Sequence, residues 1–272
     1  MYKTILVHVD AEPGATERIR LAADLARRFE AKLIGLAAAL PRPPVEAITA
    51  GVMDASILEI ERDRIAADFT VAEEQFRAFA AEPGMTVEWR AANNFPTFAL
   101  AEAASAADLV VIGRPTGGLI ANDYRAVDPG DLVMRAGRPI LIAPTGASSL
   151  DGRRVLVAWK STREARRALA DSMPFLKQAE AVTLVEIRES GEASSLADPS
   201  AFLAAHGVKC RTEALERDKT GIEAQLTAFA KREQADLIVA GGYGHTRIRE
   251  LVFGGVTRSL IASSPVPCLL SH

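Results

Sequence analysis

Residues 241–255 read GGYGHTRIRELVFGG, immediately after the apolar run DLIVA. Gly241, Gly244 and Gly254 stand in a G-x2-G-x9-G spacing, and Gly255 follows directly. Glycine is costly inside regular structure, so each one points to an unusual backbone angle or a close approach. The chemistry such a spacing offers is anion binding. Gly241 can turn the chain sharply, and Gly244 can bring bare backbone N–H groups against an anion, as phosphate-cradling nests do. The stretch around 247–253 reads as a short helix that returns the chain to Gly254-Gly255. VTRSLIAS then reads as a further helix, whose N-terminus offers free N–H donors and a positive dipole end. Both turns would face one polyphosphate, with a hydroxyl from Thr257 and a charge from Arg247 or Arg258. The spacing is neither the P-loop nor the dinucleotide fingerprint, which need G-x4-G-K-[ST] and G-x-G-x-x-G. Glycines after strands also serve simply as turns, so the setting has to carry the argument.

Other reactive side chains form no comparable pattern. His8 and Asp10 are two apart on one strand face, too few for a metal or acid–base site. His245 lies in the glycine loop, where it can bond a phosphate or face solvent. Tyr243 can stack or cover the loop, and Trp159 closes a strand, a position commoner for packing than for ligand contact. Cys210 and Cys268 fit no metal spacing and read as inert buried thiols. No serine–histidine–acid arrangement is present, so no catalytic residue is assigned.

The elements that must position the loop emerge from an internal repeat. TILVHVD at 4–10 resembles RVLVAWK at 154–160, ADLVVIG at 107–113 resembles ADLIVAG at 235–241, and RPILIAP at 138–144 resembles VPCLLSH at 266–272. An offset of 128 aligns both Gly113 with Gly241 and Pro139 with Pro267. Strands are expected at 3–9, 32–38, 86–91, 108–113 and 139–143, and again at 154–159, 181–187, 207–213, 236–240 and 266–270. Several are apolar throughout, as parallel strands buried on both faces require. Helical spacing lies between them: Ile19, Ala22, Ala23, Ala26 and Phe29 share one face. Ser161 and Glu164 suggest a capping box. Residues 45–81 add a long amphipathic helix, with Leu58, Ile65, Phe69, Ala72, Phe76 and Phe79 on the face that covers core or packs between halves. Strand–helix alternation implies right-handed βαβ units and open parallel sheets covered on both faces. The turn-rich TGASSLDGRR divides the chain into domains 1–146 and 153–272.

The chain of 272 residues is 49% hydrophobic and 25% charged, ordinary for a soluble globular protein. MYKTILVHVD turns polar too early for a signal peptide, and no apolar run is long enough for a membrane span. The net charge of −3 divides as −5 over residues 1–150 and +2 over 151–272. Neither half is basic enough for DNA, and 6% aromatic content gives no base-stacking surface. The positive half is the one with the glycine loop.

G-x2-G-x9-G after the fourth strand of a doubled five-stranded α/β unit resembles the universal stress protein family, in its tandem form, over nearly the whole chain. The resemblance implies two Rossmann-like domains, related to adenine-nucleotide α-hydrolase units, joined as a pseudo-dimer through their fifth strands, Ile140–Ala143 beside Cys268–Ser271. It implies ATP, ADP or AMP, with or without magnesium, bound in the second half. Phosphate and ribose contacts would fall on Gly241, Gly244, Gly254, Gly255, Val256 and Thr257. Adenine would lie near Ala158, Trp159 and Ile187. Two positions depart from the family pattern: Gly255 stands where a serine or threonine is usual, and Lys160 where an acid follows the first strand. In the first half, Gly113, Thr116, Ala126 and Val127 take the four glycine positions, and Pro115 removes a donor. That half keeps the acid, Asp10, but reads as a structural partner with a degenerate site. The expectation is a cytoplasmic, nucleotide-binding stress-response protein with at most slow ATP hydrolysis and no nucleic-acid or membrane partner. Its protein partners are not legible, and a homodimer of such chains is allowed. The alternative is a stress interaction protein that binds no nucleotide, its duplication only building the pseudo-dimer.

Overall fold

The computed structural model describes residues 1–12, 14–42, 55–80, 84–115, 123–243 and 255–272. Gly244, Gly254, Thr116, His245 and the helix expected at 247–253 lie outside the described residues. The first half runs β1 (Thr4–His8), α1 (Ala15–Phe29), β2 (Lys32–Ala38), α2 (Ala55–Ala80), β3 (Val87–Ala92), α3 (Pro96–Ala103), β4 (Leu109–Gly113), α4 (Pro129–Arg135) and β5 (Ile140–Ala143). The second runs β6 (Arg154–Trp159), α5 (Arg163–Asp171), α6 (Met173–Leu176), β7 (Ala181–Arg188), α7 (Ala197–Ala205), β8 (Arg211–Glu216), α8 (Ile222–Arg232), β9 (Leu237–Gly241), α9 (Gly255–Ser263) and β10 (Cys268–Ser271).

All ten strands join one sheet in the order β3-β2-β1-β4-β5-β10-β9-β6-β7-β8. Pairing is parallel within each half. At the centre β5 and β10 pair antiparallel, with Cys268 opposite Ile142, Leu269 opposite Leu141 and Leu270 opposite Ile140. This is the fifth-strand seam the resemblance implied. The alternating side chains divide the core into two layers. Ile5, Val7, Leu141, Val155, Val157 and Leu269 face α1, α2, α5, α6 and α7. Leu6, Ile140, Ile142, Leu156, Cys268 and Leu270 face α3, α4, α8 and α9. Each layer is continuous across both halves. The outer strands carry charge, as Glu88 and Arg90 on β3 and Arg211, Glu213 and Glu216 on β8, which discourages edge-to-edge pairing.

The long helix α2 covers core within its own half: Ile65, Ala72 and Phe76 are buried, and Phe76 lies against Gly35 of β2. The halves are tied instead by Tyr2, Phe29 and Phe175, whose rings meet edge to face at 5.2–5.7 Å. Arg28 donates to the carbonyls of Leu150 and Asp151 at 3.0 and 2.5 Å, which pins the connection between the halves to α1.

Two local expectations shift. The eighth strand begins at Arg211 rather than 207 because Gly207, at φ 79°, ends α7. Its N–H bonds Ala204 and that of Val208 bonds Leu203, so these residues complete a helix cap instead of opening a strand. At α5 the cap is Thr162, not Ser161: the Thr162 hydroxyl accepts from the Ala165 N–H at 3.3 Å. A tight turn, Thr162 N–H to Lys160 carbonyl at 2.6 Å, holds Ser161 out of the cap position.

Candidate functional site

In an open α/β sheet, ligands sit at the carboxyl ends of the strands. The ends of β6, β7 and β9 meet there in the second half, followed by the segment that leads into α9. Register sorts the expected contacts onto two faces. Ala158 and Ile187 are half-buried and, like Tyr243 and Val256, lie on the side of the core layer of α8 and α9. Trp159, one residue further along β6, points to the opposite layer and is 8% exposed. Its indole N–H donates to Ser195 Oγ at 3.0 Å. Ser195 and Ser194 both donate to the buried Glu186 carboxylate, which the Ser195 backbone N–H also reaches at 2.9 Å. Trp159 is thus part of a polar lock that fastens the segment before α7 over the sheet, away from Ala158 and Ile187. Lys160 follows it and is exposed.

Gly241 has a reason for being glycine that the sequence did not disclose. A Cβ there would stand 2.6 Å from the Ala165 backbone nitrogen and 2.8 Å from the Glu164 carbonyl carbon. The first turn of α5 therefore lies directly on the end of β9. Gly242 donates to the Ser271 carbonyl at 2.8 Å, and its own carbonyl lies 3.0 Å from His272 Nδ1. A Cβ on Gly242 would meet Val133 of α4 at 2.7 Å. The chain next takes a left-handed turn at Tyr243, φ 58°. The Tyr243 N–H then reaches the Thr257 hydroxyl at 3.4 Å. Thr257 is 6% exposed and sits in the first turn of α9. The two ends of the glycine loop are therefore adjacent in space, at the carboxyl edge of the sheet.

Tyr243 also reaches across the seam. A Cβ on Gly130 of α4 would lie 2.5 Å from the Tyr243 hydroxyl oxygen. Burial, and then the Asp128 carboxylate, push that phenol up to about 12, so it stays protonated. The side chain missed entirely by sequence reasoning is Glu223 of α8. One of its carboxylate oxygens lies against the α-carbon of Gly255, the first residue of α9. Nothing in residues 241–257 announces a carboxylate arriving from another helix.

The corresponding edge of the first half is filled. The Arg18 guanidinium, 7% exposed, lies against the α-carbon of Gly113. Arg18 Nε donates to the His8 carbonyl at 2.7 Å, and Nη2 lies 2.9 Å from Asp10 Oδ1. Asp10 Oδ2 lies 3.3 Å from His8 Nδ1. Burial lowers the His8 imidazole to about 4, outweighing the favourable Asp10 carboxylate. His8 is thus neutral at pH 7, and His8 and Asp10 belong to a buried polar cluster. By the offset of 150 that aligns the first strands, Arg18 corresponds to Ala168, and this arginine-for-alanine difference is the signal that could have located the cluster.

Of the cysteines, Cys268 is 1% exposed and pushed by burial to about 12. Cys210 departs from expectation: it precedes β8 and is only partly buried. Among the described residues no cluster of histidine, cysteine or acidic side chains could hold a metal ion. No helix there is long and apolar enough to cross a membrane.

A model of the universal stress protein family matches residues 1–121 and 164–272. The chain belongs to the universal stress protein family. Among solved structures, a universal stress protein from Archaeoglobus fulgidus DSM 4304 is 16% identical over 98% of this chain and 97% of its own, with a TM-score of 0.71. A functionally unknown protein from Pseudomonas aeruginosa PAO1 is 16% identical over 99% of this chain and 92% of its own, at 0.61. These likenesses show the tandem fold. A shorter universal stress protein solved in complex with cAMP is 24% identical and covers 53% of this chain and 98% of its own, at 0.37. No curated protein matches the chain.

Proposed function

We propose that residues 153–272 of this universal stress protein bind an adenine nucleotide and that residues 1–146 act as a structural partner. The observation that carries the reading is the closure of the loop by Tyr243 and Thr257 at the carboxyl edge of the sheet, the same edge at which β6 and β7 end after Ala158 and Ile187. Ala158, Ile187 and Val256 offer an apolar surface of the kind an adenine ring takes. The backbone of Gly241, Gly244, Gly254 and Gly255 serves the phosphates, with Lys160 as an added charge. Trp159 frames the site through its bond to Ser195 rather than stacking on the base. Arg18 fills the space at Gly113, which supports a first half that holds no nucleotide. The ligand is ATP, ADP or AMP, with or without magnesium, and its role is to order the loop and thereby bias a surface used in a cytoplasmic stress response. No catalytic residue is assigned, and ATP hydrolysis is at most slow.

One observation favours a second reading. Glu223 places a negative charge where a phosphate would meet α9, which suits a stress interaction protein without nucleotide. Calorimetric titration of the purified protein with ATP, AMP and cyclic AMP, with and without magnesium, separates the two. Saturable binding that is lost in Gly244→Gln supports the first reading. No binding up to millimolar concentrations, with no nucleotide released on denaturing fresh protein, establishes the second.

A further inference from the structure

The entry to the glycine loop is held from the other half of the chain. Gly130 and Val133 lie three apart on α4 and so share a face. They meet successive residues after β9. Val133 Cγ1 stands 2.7 Å from where a Cβ on Gly242 would be, and the Tyr243 hydroxyl 2.5 Å from where a Cβ on Gly130 would be. The ring carbon that carries this hydroxyl stands 3.3 Å from the same point, so the phenol lies on the bare α-carbon of Gly130. Its oxygen is in the ring plane and cannot swing aside without the ring.

Both sides of this contact are anchored. Leu132 and Val133 are buried, and Asp128 caps α4 by accepting from the Asp131 N–H at 3.0 Å. The Asp128 N–H in turn donates to the Thr97 hydroxyl of α3 at 2.9 Å. On the other side, the Gly242 N–H is bound to the Ser271 carbonyl, and the left-handed backbone of Tyr243 turns its own N–H toward Thr257. A left-handed tyrosine carries a backbone cost that its surroundings must offset, and the seat on α4 is one such contact. The arrangement runs in one direction. By the offset of 128 its counterpart would join Pro115 to Arg258, which offer neither a phenol nor a bare α-carbon.

We propose that α4 positions Tyr243, and through it the junction with Thr257 in α9, so that the first half sets both ends of the glycine loop in the second. Gly130 acts through Tyr243 and is a positioning residue. The contact stands without any ligand; its consequence for nucleotide affinity rests on the function proposed above.

The test is a double-mutant cycle of Gly130→Ala and Tyr243→Phe. The second change keeps the ring and removes the atom nearest the new methyl group. Amide hydrogen exchange is followed in the full chain without nucleotide, over residues 240–243 and 256–260, with β1 and β7 as the check on folding. Gly130→Ala should speed exchange at both ends of the loop about tenfold, through overpacking, and less than about twofold in the Tyr243→Phe background. Helix propensity alone predicts the opposite sign, because alanine favours a helix over glycine. Unchanged or slower exchange in Gly130→Ala would overturn the proposal. An equal rise in both backgrounds would do the same, by placing the effect in the Asp128 cap, whose oxygen stands 3.2 Å from the new Cβ. Calorimetric titration of the same variants with ATP and AMP reads the coupling. Gly130→Ala should raise Kd by up to about tenfold, with recovery in the double variant. A Kd unchanged in Gly130→Ala while exchange rises would also overturn the proposal. A wild type that binds neither nucleotide defeats the nucleotide reading alone, and the exchange cycle then decides whether α4 positions the loop.

Discussion

Gly241 distinguishes a glycine that serves a ligand from one that serves the fold. Gly241→Ala places a Cβ 2.6 Å from a backbone nitrogen and 2.8 Å from a carbonyl carbon, where ordinary contact begins at 3.4 Å. The obstacle is the main chain of α5, so no side chain can rotate away. The helix must retreat by roughly 0.8 Å, and α5 is anchored through Ala165, Ala168 and Leu169 in the core. Overpacking of this kind costs about 1–3 kcal/mol. For a chain of this size that is a melting-temperature fall of roughly 3–10 °C. Gly255→Ala is the matched comparison, because among the described residues its new Cβ meets only the flexible end of Glu223. Thermal unfolding by circular dichroism, both variants against wild type and without added ligand, reads the difference. Gly241→Ala melting within 1 °C of wild type would refute the close-approach argument.

Three further outcomes follow from the same geometry. His8 titrates near 4 when folded, through burial, and near 6.5 when unfolded. The unfolded chain therefore binds the proton first, and stability falls as pH drops from about 6.5 to 4, by up to about 3 kcal/mol. Urea midpoints across that window should be flatter in His8→Asn, which keeps a donor toward Asp10 but cannot take the charge; an unchanged slope rejects the assignment. Below that window Asp10 adds a separate loss. Burial opposes its ionisation, but Arg18 and His8 hold its carboxyl below the usual range, so its contribution disappears as it protonates. Glu223→Gln removes a like charge beside the phosphate position, and nucleotide affinity should rise roughly fourfold at low salt; equal titration curves would show that the carboxylate does not face the ligand. Gln234 caps α8 in the left-handed region at φ 52°, so Gln234→Gly should gain about 0.5–1 kcal/mol in chemical denaturation; a lower midpoint counts against that strain.

The fold was largely legible because its information is local. Runs such as LVVIG and LIVAG are apolar on both faces, which only a doubly covered parallel strand tolerates. The repeat then set the order of elements. The errors at 207–210 and at Ser161 came from backbone hydrogen bonds at helix ends, which composition does not encode. The site was harder for a different reason. What lies against Gly241, Gly255 or Gly113 arrives from α5, α8 or α1, at sequence distances no motif spans. The face on which Trp159 lies follows from a period of two, but its bond to Ser195 depends on a distant loop.

The antiparallel seam has a consequence for how this molecule responds to dilution. Every residue of β5 and β10 is buried, and their only outer neighbours are each other. Were the halves separate molecules, that contact would form by mass action and dissolve below some protein concentration. Joined through residues 144–153, each strand meets its partner at an effective concentration set by a short tether, on the order of millimolar. The assembly is therefore a property of one polypeptide at any expression level. Freed from the need to match an identical copy, the two halves can differ at their carboxyl edges, an arginine filling one and a glycine loop occupying the other.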